Sequence, residues 1–155
     1  MIQVAAPRAQ SRLDKVRVAT VGEVVLLRHF RAPGLERARG EVAALEHAIV
    51  HEGATALIVW IDEAIPPPSF EVLRLFLRIP KIDPGLEHIA VVVPQAGFSL
   101  AIASSVIRQL LRLTRLAGAV EAFTELLPAC AWLSRHHEDI DALAIEERLY
   151  ELGRD

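Results

Sequence analysis

The stretch Leu57–Leu77, LIVWIDEAIPPPSFEVLRLFL, runs from an unbroken apolar segment through two carboxylates and three prolines into an amphipathic run. Its first part, within TALIVWID, is apolar at successive positions. A strand apolar on both faces belongs in the middle of a sheet covered by helices on both sides. Beyond the prolines, Val72, Leu73, Phe76 and Leu77 recur at helical spacing, with Arg74 and Arg78 on another face. The spacing predicts a helix over Phe70–Ile79, stopped by Pro80. Pro66-Pro67-Pro68 forces an extended connection, because the residue before a proline avoids the helical region. The junction is thus a strand end meeting a helix start, where open α/β folds tend to place their sites.

Working outward, KVRVATVGEVVLLRHF reads as a hairpin, Val16–Thr20 and Val24–Phe30, about Val21-Gly22-Glu23. A helix follows, carried by Leu35, Ala38, Val42, Leu45 and Ile49 and closed by Gly53. Gly40 weakens it by about 1 kcal/mol relative to alanine. Downstream, KIDPGLEH is a loop with a Pro-Gly turn, and IAVVVP is a second buried strand. GFSLAIASSVIRQLLRLTRLAG is a long helix closed by Gly118, AVEAF a short strand, and TELLPACAWLSRHH a further helix, with either Thr124 as N-cap or Pro128 marking its first turn. EDIDALAIEERLYELGRD is a last acidic helix, with Ile140, Leu143, Leu149 and Leu152 as contacts and Ile145 off that face. Three placements stay open for it: on the domain, extended from it, or against a second subunit. The order is β-β-α-β-α-β-α-β-α plus a C-terminal tail helix. It predicts an α/β fold with a mixed sheet of about five strands. The expected organisation is a loose segment 1–13, one domain 14–134, and an acidic helical tail 135–155.

Composition agrees with one domain: 155 residues, 52% of them hydrophobic. Lys and Arg number 17 and Asp and Glu 20, which argues against a general nucleic-acid binder. Residues 1–69 balance, residues 70–120 carry six basic groups against three acidic, and residues 121–155 carry three against nine. Cys130 is the single cysteine, so no intrachain disulfide forms; PACAWL reads as a buried helical setting for it. No run has the length and purity of a membrane span, and no secretory signal is read, so a cytoplasmic location is expected.

The residue types of catalysis are present without their patterns. Glycines stand singly, so neither a dinucleotide fingerprint nor a phosphate loop can be written, and no cofactor is expected. His47 and His51 share a helix face, but nothing completes a zinc set around them, and no metal is expected. His136 and His137, beside Glu138 and Asp139, read as a solvated helix-end cluster. Ser69, Ser99, Ser104 and Ser105 lie outside any nucleophile elbow. Asp62 and Glu63 are adjacent on a strand end, where their side chains diverge rather than converge on one substrate. No catalytic residue, and hence no enzyme, is expected.

What remains is surface. Asp62, Glu63, Ser69, Phe70, Arg74 and Arg78 surround the strand end and form a candidate docking face for a protein partner. Ser69 caps the following helix and is a candidate phosphoacceptor. Arg108, Arg112 and Arg115 lie on one helix face. This basic patch suits an acidic protein, an anionic lipid or membrane surface, or the acidic tail Glu146-Glu147-Glu151 of its own or a second copy, the last giving a homodimer. Phe70, Gln95 and Phe98 outline a candidate crevice for a lipid or small apolar ligand, while Trp60 is expected in the core.

The element order, with VRVATVGEVVLLRHF, ALIVWID leading into PPPSFEVLRLF, HIAVVVPQAGFSLAIASSVIRQLLRL and AVEAFTELLPACAWL, resembles the STAS-like domains, similar to bacterial anti-sigma-factor antagonists and their SEC14-related cousins. The resemblance covers about residues 14–134. It implies a non-enzymatic partner-binding module. In the phosphorylated branch, a Ser or Thr at the start of the helix after the middle strand is modified by a kinase partner, which binds the unmodified form. Ser69 is the nearest match here; the glycine and second hydroxyl residue usual in that motif are absent. The SEC14-like relatives imply an apolar ligand or a membrane-associated role.

Overall fold

The computed structural model describes residues 17–29, 34–62, 69–76, 78–79, 85–93 and 119–154. Five strands form one sheet in chain order: β1 (Val18–Val21), β2 (Val24–His29), β3 (Ala56–Ile61), β4 (His88–Val92) and β5 (Val120–Phe123). β1 runs antiparallel to β2, with Val21 opposite Val24, and every later pairing is parallel. The hairpin turns on Gly22 at φ +58°, a conformation that glycine adopts without steric cost. In the parallel part Leu26 pairs with Ile58 and Ile58 with Ala90. The mixed, mostly parallel sheet interleaved with helices is the architecture the sequence predicts.

The apolar run of β3 has its expected cause. Successive side chains of a strand point to opposite faces, and both faces are covered. On one face Val25, Leu27 and Leu57 pack against Leu45, Ala48 and Ile49 of helix α1 (Leu35–His51), with Phe76 of α2 (Phe70–Phe76) alongside. On the other, Val24, Leu26, Ile58 and Ala90 meet two further helices. Ala129, Cys130 and Leu133 come from α3 (Leu126–Ser134), and Ile145, Leu149 and Leu152 from α4 (Ala142–Arg154). Each fully buried Leu or Ile in these layers stabilises the fold by about 1.5–3 kcal/mol.

Helix α4 resolves the open placement: it packs on the domain, against β1 and β2. Ile140, Leu149 and Leu152 make the expected contacts, but Ile145 is fully buried and Leu143 is 68% exposed, the reverse of the sequence reading. Positions 145, 149 and 152 are spaced four and three apart, which makes the continuous stripe. Arg17 and Arg28 also hold the helix from the sheet, donating to the carbonyls of Leu152 and Leu149 respectively. Positive charge at this end suits the helix dipole. Helix α3 starts at Leu126 with Glu125 in the N-cap position and no side-chain cap, so Thr124 does not cap it.

Candidate functional site

At the carboxyl end of the strands, side chains from β2 and β3 fix one another. Arg28 is the register partner of Trp60. Its Nε and Nη2 donate to the two oxygens of Asp62 at 2.9 and 3.1 Å, and Trp60 Nε1 donates to Asp62 Oδ1 at 2.8 Å. Asp62 is thereby committed to an internal fork. Trp60 is half-buried rather than sealed in the core. It borders a cleft of about 230 Å³ with Leu126, Leu127 and Tyr150, rimmed by Glu125 and Glu146.

Beside this fork lies a buried triad. His29 Nε2 stands 2.7 Å from Glu41 Oε2, and Arg37 Nε donates to Glu41 Oε1 at 3.1 Å. The Glu41 side chain has no exposure. A buried carboxylate needs such partners. The two partners of Glu41 come from the end of β2 and the first turn of α1, so the triad ties that crossover together.

Ser69, Phe70, Arg74 and Arg78 all face solvent. Ser69 Oγ accepts from the Val72 N–H at 3.4 Å, the capping contact expected of it. Phe70 is 71% exposed, and the Arg74 guanidinium lies 5.3 Å from its ring centroid. Helix α2 is shorter than the predicted Phe70–Ile79, ending at Phe76. The expectations placed on Glu63, Gln95, Phe98, Arg108, Arg112 and Arg115 lie outside the described residues, as does the helix expected after β4.

At the amino end of the strands the structure assembles a second group of polar side chains. Glu23 closes the hairpin turn, Thr55 precedes β3, and Glu87-His88 opens β4. His136 and His137 follow α3. His88 Nδ1 and His137 Nε2 stand 2.7 Å apart. Thr55 Oγ1 lies 3.2 Å from His137 Nδ1 and donates to Glu23 Oε2 at 3.2 Å. A second Glu23 oxygen is 3.5 Å from His137 Nδ1. The His136 ring stacks on that of His88 at 4.2 Å, and Trp132 meets the same ring edge-on. Burial, then the neighbouring His136 and His137, hold the His88 imidazole below its usual pKa, against an opposing pull from Glu87. The reading of His136 and His137 as solvated holds for His136, which is exposed, and is corrected for His137, which is buried. The carboxylates beside it in sequence, Glu138 and Asp139, are not its partners; Glu23 and Thr55 are.

Sequence reading gave no role to His29, Arg37, Glu41, Glu87 or His88. For Glu41 a signal existed, since it sits between Ala38 and Leu45 at three- and four-residue spacing on the apolar stripe. For the histidines the signal is topological. A helix following a parallel strand returns to the amino edge of the sheet, which delivers the end of α3 to the start of β4. Comparison of the chain with protein-family models, with curated proteins and with solved structures finds no match.

Proposed function

We propose that the chain is a non-enzymatic binding module that presents the outer face of α2 to a protein partner carrying an acidic segment. The observation that carries this is Phe70, 71% exposed at the head of α2 beneath the Arg74 guanidinium. A large aromatic left in water beside arginines has the composition of an interface anchor. Arg74 and Arg78 give the face positive charge, which selects a partner with carboxylates around a pocket for the ring. The resemblance to STAS-like domains supports the same face, and Ser69 is its phosphoacceptor in this reading. A phosphate there adds negative charge against an acidic partner, so it releases the complex.

The test compares capture from native cell extract by the wild-type chain, by Phe70→Ala/Arg74→Glu, by Ser69→Asp, and by Leu143→Ser on the opposite layer. Mass spectrometry reads the bound proteins and extracted lipids. A protein held by wild type and Leu143→Ser, but lost from the other two, is the expected outcome. Equal capture by all four removes α2 as the docking face. A stoichiometric lipid with no protein overturns the reading in favour of an apolar-ligand carrier.

A further inference from the structure

We propose that Glu87, His88 and His137 form a binding site for a divalent transition-metal ion of the zinc class, at the end of the sheet opposite the α2 face. One ligand atom from each residue lies within 4.8 Å of the others. Two imidazole nitrogens and one carboxylate oxygen are the donor set that zinc and its neighbours take, with a further position left for water.

The hydrogen bonds around His137 set the ring for this task. The Glu23 carboxylate only accepts, so the one Thr55 hydroxyl proton goes to Glu23. Thr55 Oγ1 therefore accepts from His137 Nδ1–H. That leaves a lone pair on His137 Nε2, aimed at His88. Carboxylate and hydroxyl groups behind a histidine are how metal sites fix the tautomer and strengthen the donor. In the ion-free chain His88 Nδ1–H donates to His137 Nε2 at 2.7 Å. Two nitrogens on one tetrahedral zinc stand about 3.3 Å apart. The ion thus takes the place of the shared proton, the rings part by about 0.6 Å, and His88 shifts its hydrogen to Nε2 with no net proton change. His136, stacked on His88, keeps that ring in plane during the exchange.

The position of the ligands says what the ion does. His88 starts β4 with Glu87 just before it, and His137 lies in the turn between α3 and α4. An ion bound there clamps the last two helices to the sheet. This holds whether or not the α2 face binds a protein.

The chain is stripped with a chelator and titrated with Zn²⁺ by calorimetry, and with Co²⁺ by visible absorption. The expected result is one ion per chain, a d–d band for Co²⁺, and a melting temperature that rises with Zn²⁺. Thr55→Val, which touches no ion, weakens binding about 10- to 100-fold. Glu87→Gln, an exposed substitution that deletes a ligand, weakens it more. His47→Ala is the control, because His47 and His51 pair on the surface of α1 with ring centroids 5.0 Å apart. Affinity unchanged in His47→Ala supports the site. Binding lost in His47→Ala and unaffected by Glu87→Gln, or no binding above background, overturns it.

Discussion

Glu41 is a carboxylate with no exposure, answered by His29 on one oxygen and Arg37 on the other. Its truncation takes the buried carboxylate away from both side chains. Glu41→Ala is expected to lower stability by about 3–5 kcal/mol, read as a shift of the urea midpoint. Cys130 makes the opposite case, a group kept neutral by its surroundings. Burial, with a smaller push from Glu146, raises its thiol pKa to about 11 from 9.0. The folded state therefore holds its proton longer than the unfolded chain. The stability this contributes is full below about pH 9 and falls as pH rises toward about 11. Denaturant midpoints across that window are expected to fall more steeply for wild type than for Cys130→Ala. The burial of Cys130 was legible from PACAWL, and that of Glu41 from its place on the stripe. The partners of Glu41 were not both legible: Arg37 is one turn away, but His29 arrives only through the crossover.

Helix α4 shows the same division at the scale of an element. Its existence and most of its buried stripe follow from spacing alone. The choice between Leu143 and Ile145 depends on anchoring the stripe at Leu149 and Leu152 rather than at Ile140. What spacing cannot carry is the seating of the helix on Arg17 and Arg28. At Gly153 that seating becomes measurable, since an added Cβ would collide with the Arg28 guanidinium. Glycine to alanine in a helix ordinarily gains about 1 kcal/mol. Gly153→Ala is expected to give no gain and a lower melting temperature, because the guanidinium must leave Leu149 and strain its fork with Asp62. Helix α2 is the contrasting element. Its start at Phe70 and its cap at Ser69 were legible, as both are local events.

For the whole molecule, the sheet was legible because each strand carries its own signal and pairs with its neighbour in sequence. The carboxyl end drew attention because the proline junction marks it. The amino end stayed hidden because no segment announces it: Glu23, Thr55, His88 and His137 come from four separate parts of the chain. Among the described residues no helix is long and apolar enough to cross a membrane. The two ends of the sheet therefore present separate chemistries, an exposed aromatic with arginines at one and an imidazole-carboxylate group at the other. Their variants are expected to be independent, because the groups share no partner among the described residues.

The seating of α4 on β1 and β2 has a consequence in time. A ribosome delivers the hairpin first and α4 last of the described elements. Until then Val24 and Leu26 lack the helix that packs on their strand, and Arg17 and Arg28 lack the carbonyls they hold. The β3–β5 part can close beneath α3 earlier. The nascent chain thus passes through a stage with one half of its sheet roofed and the hairpin half open on that side, the stage at which it most needs shielding from other chains.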